Sequence, residues 1–463
     1  MTGGAGVSVV VGLGKTGASC LRYLARRGIP AAVTDSRRDP PGLAELGGLA
    51  RTLDMRLGGF DLSLLDGASQ VLMSPGVSLE EPIAVQARAR GIEVLGDVEL
   101  FARAVRARTP APVPAPVPAP VIGITGTNGK STVTSLVASM AAAAGRRVLA
   151  GGNLGRPALD LLDEPVPDLY VLELSSFQLQ TTSSLDLIAA VVLNVTSDHM
   201  DRYASIEEYA RAKERIFDHA ATMVLNIDDP RVAAMRGTSG GAARPLRTVT
   251  FSIERADADY TLVQRGSEAF LARGGKPLAP VTSMKISGSH NAANALAALA
   301  LGEAAGLPLA ASLRALESFP GLAHRSQWVA DIAGVRYVDD SKGTNVGATL
   351  AAVSGMAGPL VIIAGGEGKG QDFAPLAAAF RDKVRHAVLI GKDAAAIEAV
   401  LVGVCPTERA ATMPAAVAAA AAAARPGDTV LLSPACASLD MFRDYNHRGE
   451  VFAAAVRMLE GAV

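Results

Sequence analysis

Short apolar runs that stop in loops of Gly, Ser or Asp recur along all 463 residues. In the first hundred they are SVVVGLG, PAAVTDS, QVLMSPGVS and GIEVLGD. They return as RRVLAGGN, LYVLELSS, IAAVVLNVTSDH and TMVLNIDD, and again as VRYVDDSKGTN, PLVIIAGGEGKG, HAVLIGK and DTVLLSPACASLD. Such runs alternate with helical patterns, and loops of this kind sit at the carboxyl ends of parallel strands, where ligands bind. The pattern constrains the chain to α/β layers, repeated as three units in series.

Two breaks divide the units. From Pro110 to Pro120 every second residue is Pro. That spacing forbids helix, favours extended polyproline II and makes a semi-rigid spacer. The second break falls near FPGLAHRSQ, Phe319 to Gln327. The expected units are residues 1–108, 109–322 and 323–463. Within the middle one, Gly237 to Pro280 reads as more β-like and irregular, and GSHNAANALAALALGEA then opens a helix.

Composition excludes several classes. The net charge is −1, and no basic stripe or polybasic run points to nucleic acid or a membrane surface. Cys20, Cys405 and Cys436 are scattered, which argues against a disulfide framework or structural zinc and fits reduced thiols in a cytoplasmic protein. No charged segment followed by a long apolar stretch marks a signal peptide at the N-terminus. The Ala-rich run Met413 to Ala424 is too short to cross a bilayer, which takes about 20 residues, and reads as a helix.

The first run continues as VVVGLGKTGASC, in which Gly12, Gly14 and Gly17 fit G-x-G-x-x-G. Asp35 follows at the distance of an acid that holds a ribose, so a dinucleotide enzyme is one reading. The second unit opens with VIGITGTNGKST. Five residues, not four, separate Gly123 from Gly129, so the strict phosphate-loop text fails by one. The physics survives: Gly126 and Gly129 let backbone N–H groups turn toward phosphate oxygens, and Lys130 brings a charge to the β/γ-phosphates. Ser131 or Thr132 can ligate Mg²⁺, and a helix N-terminus follows. Glu173 ends a buried strand, where a carboxylate is costly unless it meets a cation. His199 lies beyond another strand, in a cluster with Asn194, Thr196, Asp198 and Asp201.

Together GITGTNGKST, GNLG, LELSSFQL, NVTSDHMDRY, YARAKERIF and GSHNAANALAA resemble the Mur ligases and related folylpolyglutamate synthetases. The resemblance covers essentially the whole chain. It implies a Rossmann-like first domain, a P-loop ATPase central domain and a Rossmann-like third domain. It implies amide-bond formation driven by ATP through an acyl phosphate. The loops DDSKGTN, GGEGKGQDF and LLSPACASLDMF resemble those of family members that add D-glutamate to UDP-N-acetylmuramoyl-L-alanine.

The same resemblance implies roles. ATP would meet Gly126, Thr127, Asn128, Gly129, Lys130, Ser131 and Thr132, with Asn291 and Asn294 at adenine. Arg325 and Asp340 would close over phosphates and ribose. Two Mg²⁺ ions are implied, one at Ser131 and Glu173 and one at His199. Lys213 matches a lysine carbamylated in the family, where the added charge can support a metal; read from the residues alone, it is an exposed helix charge. The UDP-linked substrate would meet Gly14, Lys15, Thr16, Asp35, Ser36, Arg37, Ser74, Pro75, Gly76, Asn153 and Ser175. On this reading Asp35 faces the uracil edge instead of a ribose. D-Glutamate would meet Lys342, Thr344, Lys369, Ser438 and Tyr445, cations and hydrogen-bond donors suited to a dianion. Two positions depart from the family: Gly343 stands where Ala is common, and Tyr445 where Phe is.

Lys130, Glu173, His199 and Lys213 would be the catalytic set of a cytoplasmic, monomeric enzyme, with the third domain closing over the second to exclude water. A dehydrogenase would leave the phosphate loop and Glu173 unused. A kinase or NTPase motor would not need the glutamate loops. A sister ligase for another amino acid fits DDSKGTN less well.

Overall fold

The computed structural model describes residues 6–107, 119–236, 247–286, 288–356 and 358–460. Most of the Pro-rich spacer, and the first boundary placed before it, lie outside the described residues.

Each unit is built on its own sheet. In the first, β1 (Val7–Val11), β2 (Ala31–Asp35), β3 (Asp54–Leu57), β4 (Ala68–Met73) and β5 (Glu93–Leu95) lie in the order β3-β2-β1-β4-β5. All pairs are parallel. The chain turns to β2 on one side of β1 and to β4 on the other, which opens a crevice at their carboxyl ends. Gly17 sits where the following helix meets β1: a Cβ there would lie 2.1 Å from the Gly12 carbonyl oxygen.

The second sheet has nine strands. They are β6 (Val121–Thr125), β7 (Val148–Gly152), β8 (Leu169–Glu173), β9 (Ala189–Val192), β10 (Thr222–Asn226), β11 (Arg247–Phe251), β12 (Tyr260–Arg265), β13 (Glu268–Arg273) and β14 (Lys276–Pro280). Their order is β14-β13-β12-β11-β10-β9-β6-β8-β7. The pairing is parallel from β7 across to β12 and antiparallel through β13 and β14. The described part of Gly237 to Pro280 thus forms the expected β extension.

The third sheet runs β15-β16-β20-β17-β18-β19, from β15 (Gln327–Ile332), β16 (Val335–Asp339), β17 (Leu360–Gly365), β18 (Val384–Ile390), β19 (Thr407–Arg409) and β20 (Thr429–Leu432). Only β15 is antiparallel to its neighbour. The Ala-rich run forms the helix Met413–Ala423, which buries Met413, Ala416, Val417 and Ala420 on one stripe.

The units meet differently. One apolar cluster runs from Leu24 and Phe101 of the first into Leu159, Tyr170 and Leu187 of the second. Phe101 and Tyr170 pack edge to face, 5.2 Å between centroids. The third unit's clusters contain only its own residues among those described. It reaches the second through polar groups.

Candidate active site

The phosphate loop joins β6 to the helix Lys130–Ala143. Gly129 has φ of +84°, and a Cβ there would lie 2.5 Å from Asn294 Oδ1. Asn194, beyond β9, shapes the loop from outside: its Oδ1 accepts from Asn128 N at 2.8 Å and its Nδ2 donates to Asn128 O at 3.2 Å. Lys130 Nζ folds back and donates to the carbonyls of Gly126 and Thr127 at 2.9 and 2.8 Å. Burial depresses its pKa.

Lys213 is the correction to a reading from residues alone. It is 1% exposed, not a surface charge. The helix Ile206–Glu214 turns Tyr209, Ala212 and Lys213 inward, a stripe at i, i+3 and i+4. Its Nζ donates to Gly126 O at 2.9 Å and lies 4.3 Å from the Tyr209 ring centroid. Burial first, then the charge of Lys130, holds its pKa well below the usual lysine value.

Glu173 ends β8 and is buried. Its Oε2 accepts from Ser131 Oγ at 2.6 Å and its Oε1 from Asn153 Nδ2 at 2.7 Å. Of the two hydroxyls at the helix start, Ser131 is therefore the one beside the carboxylate. Arg325 of the third unit donates from Nη2 to the same Ser131 Oγ at 2.7 Å. His199 has φ of +58° and packs edge-on to Phe177, 4.9 Å between centroids. Burial lowers its pKa, which favours the neutral imidazole that ligates metals. Beside it, Asp198 is buried, which alone would raise its pKa, but the charge and hydrogen bond of Lys369 hold it low. Lys369 Nζ is 3.1 Å from Asp198 Oδ1.

Two cavities flank this centre. One of about 290 Å³ is lined by Asn128, Gly129, Thr132, Asn291, Asn294, Arg325, Asp340 and Lys342. Asp340 accepts from Ser326 N at 3.0 Å and from Ser433 Oγ at 2.9 Å, and burial pushes its carboxyl up to about 7. Lys342, expected at glutamate, lines this cavity too, with Nζ 3.8 Å from the Tyr445 ring centroid. Burial, with Arg325 and Lys130 adding, brings its pKa down to about 7. Thr344, Lys369, Ser438 and Tyr445 line neither cavity, though Ser341 Oγ ties the Lys342 loop to Tyr445 O at 2.8 Å.

The other cavity, about 400 Å³, opens at the switch point of the first sheet. Gly14, Lys15, Thr16, Asp35, Ser36, Arg37, Ser74, Pro75, Gly76 and Asn153 all line it. Ser175 does not; it caps the helix Ser176–Gln180, whose Gln178 reaches the cavity. Asp35 is held by Arg37 Nε and Nη2 at 2.9 and 2.7 Å and by Leu13 N at 2.6 Å. Those bonds lower its pKa despite burial. Sequence reasoning missed Gln178 and Asn345; the capping pair Ser175–Gln178 was the available signal for the first.

Among the described residues no group of three or more His, Cys, Asp or Glu side chains could hold a metal ion, and no helix is long and apolar enough to cross a membrane. A metal here would need the mixed set of hydroxyl, carboxylate and imidazole.

Comparison with known proteins covers the chain from end to end. Residues 7–96 match the Mur ligase MurD-like N-terminal domain, 124–302 the Mur ligase middle domain and 324–436 the Mur ligase glutamate ligase domain. The UDP-N-acetylmuramoylalanine–D-glutamate ligase of Nitrosococcus oceani is 53% identical over 98% of this chain and 97% of its own length. The protein of the same name from Methylococcus capsulatus is 49% identical over 97% and 94%. The solved UDP-N-acetylmuramate-alanine ligase of Thermotoga maritima superposes with a TM-score of 0.62 at 18% identity, over 99% of this chain and all of that one.

Proposed function

The chain belongs to the Mur ligase family, and we infer from that premise that it joins D-glutamate to UDP-N-acetylmuramoyl-L-alanine with ATP, in peptidoglycan precursor synthesis. The near-full-length likeness to ligases of that name carries the reading.

The reaction is two displacements. The alanyl carboxylate attacks the γ-phosphate of ATP, giving an acyl phosphate and ADP. The glutamate amine then attacks the acyl carbon, loses a proton and expels phosphate. Lys130 leaves its loop carbonyls to meet the β/γ-phosphates, and Arg325 adds a second cation from the third unit. Asn291 and Asn294 receive adenine, and Asp340 the ribose. The cavity at Gly14–Thr16, Asp35–Arg37 and Ser74–Gly76 receives UDP, and Asn153 with Ser175 guides the muramoyl arm. Lys342, Thr344, Lys369, Ser438 and Tyr445 receive D-glutamate. Domain limits at 108/109 and 322/323 suit these sites.

The donors fit Mg²⁺. Ser131 Oγ and Glu173 Oε2, 2.6 Å apart, are the oxygen ligands a hard cation prefers. They would hold one ion, and neutral His199 with a carbamate on Lys213 a second. Bound Mg²⁺ neutralises charge on the phosphates. Burial lowers the Lys213 pKa, and the unprotonated amine that this favours is the form that reacts with CO₂, which supports the carbamate. The enzyme acts as a cytoplasmic monomer without nucleic acid or membrane, in keeping with a net charge of −1.

Phosphate release measured with UDP-N-acetylmuramoyl-L-alanine and a panel of amino acids tests the reading. Turnover with D-glutamate is expected. Preference for L-alanine, lysine or diaminopimelate would overturn it.

A further inference from the structure

A further grip of the third unit on the phosphate loop comes from Asn345, which the nucleotide and glutamate assignments leave out. Its carboxamide pairs with that of Asn128 in both directions. Asn345 Nδ2 donates to Asn128 Oδ1 at 3.2 Å, and Asn128 Nδ2 donates to Asn345 Oδ1 at 3.3 Å. Asn345 Nδ2 also donates to Asp198 Oδ2 at 3.2 Å. The side chain is 2% exposed. Its Oδ1 caps the helix Val346–Gly355 through Ala348 N at 2.9 Å, so the group is rigid within its own unit.

The surroundings are shaped for this contact. Two residues on, a Cβ at Gly347 would lie 2.9 Å from Thr196 Oγ1 and 3.5 Å from Asn128 Nδ2, so a glycine lets the helix come this close without displacing Thr196. Val346 N donates to Gln371 Oε1 at 2.8 Å, and Gln371 Nε2 to Gly368 O at 2.8 Å. The seam is thus tied to the loop that carries Lys369, and it directly follows Lys342 and Thr344.

We propose that Asn345 is a positioning residue: by clasping Asn128 and Asp198 across the seam, with Gly347 clearing the way, it registers both glutamate loops against the phosphate loop. This rests on the ligase reading above. The clasp makes glutamate capture conditional on seating of the third unit, while the UDP cavity between the other units stays independent of it.

Three substitutions in the full-length enzyme separate the clasp from the cap. Asn345→Ser keeps a good N-cap but cannot reach the seam, and Asn345→Asp keeps the cap and sets a second carboxylate against Asp198. Gly347→Ala leaves every bond donor in place and inserts a methyl group into the seam. The expected result is a fall of about tenfold or more in kcat/KM for D-glutamate with Asn345→Asp, and a smaller fall with Asn345→Ser. Gly347→Ala should fall likewise without a lower Tm, and KM for the UDP substrate should stay within about twofold throughout. Unchanged kcat/KM for D-glutamate in Asn345→Asp and Gly347→Ala overturns the proposal. So does a loss that falls equally on both substrates or follows Tm. If the Asn345 variants do not fold, Gly347→Ala decides alone. The unsubstituted enzyme run alongside tests the reading itself: no turnover of D-glutamate there strikes the ligase assignment and not the clasp.

Discussion

Lys130 and Lys213 donate to one acceptor, the carbonyl oxygen of Gly126, each at 2.9 Å. Burial lowers the pKa of both, and the charge of Lys130 lowers that of Lys213 further. The phosphate loop therefore brings two lysine amines onto one backbone oxygen.

The first prediction concerns Lys213. With its folded pKa lowered, the unfolded chain binds the extra proton between that value and 10.5, so stability rises with pH across the interval. Lys213→Met keeps most of the stem and removes this penalty. At pH 7 it should melt higher than the parent, and its stability should depend less on pH. Turnover should fall by about a hundredfold or more if the residue works as a charged carbamate. Lys213→Ala should regain part of its rate with a short carboxylate such as formate. Calorimetry and phosphate release check both halves; near-normal turnover in either variant removes the carbamate.

Gly129→Ala should separate the two cavities. Its φ of +84° costs a β-carbon about 1–2 kcal/mol, and that carbon would press on Asn294 Oδ1. ATP affinity is expected to drop by about tenfold or more, with binding of the UDP substrate unchanged. Titration calorimetry with each ligand measures this. Equal loss for both would mean a general change of fold.

Much of this could be read from the chain because the central strands are apolar on both faces. The strands missed, β3, β15 and β19, are sheet edges whose partly exposed residues leave no apolar run. Lys213 shows the limit of local reading. A lysine between Ala and Glu on a short polar helix looks solvated, and only the packing of Tyr209 and Ala212 carries it inside. Asn345 shows another limit: its cap position is visible locally, but its partners lie 217 and 147 residues away. Lys342, expected with glutamate, lines the cavity of Asn291, Asn294 and Asp340, a position set by how two units dock.

Asp97 should give the first two units a pH signature. It starts the helix Asp97–Ala107 and is 1% exposed, with Gln178 Nε2 3.5 Å from Oδ2. Burial raises its pKa from 3.8 to about 6. The folded state then holds the proton more tightly. That stabilisation is full below pH 3.8 and is lost as pH rises through about 6. Asp97→Asn cannot ionise. The stability of the variant minus that of the parent should grow from pH 4 to pH 7 and then level, by at most about 3 kcal/mol. Parallel stability curves from urea titrations at each pH would show that Asp97 titrates normally.

The last prediction follows from how the third unit is attached. The first two units share one apolar cluster, and opening that seam would expose Phe101 and Tyr170 to water. The third unit instead meets the second through Arg325 on Ser131, Lys369 on Asp198 and Asn345 on Asn128. Water can replace such bonds at a net cost of about 1 kcal/mol each, so few of them hold the seam closed. Phosphate charge between Lys130 and Arg325 would bind both sides at once and favour the seated form. Small-angle scattering should therefore show a smaller radius of gyration with an ATP analogue and the UDP substrate than without ligands. Raised salt should weaken the seated form, since the Lys369–Asp198 pair is partly screened. An unchanged radius across all these conditions would mean that the third unit is fixed in place, and that water is kept from the acyl phosphate by something other than its closure.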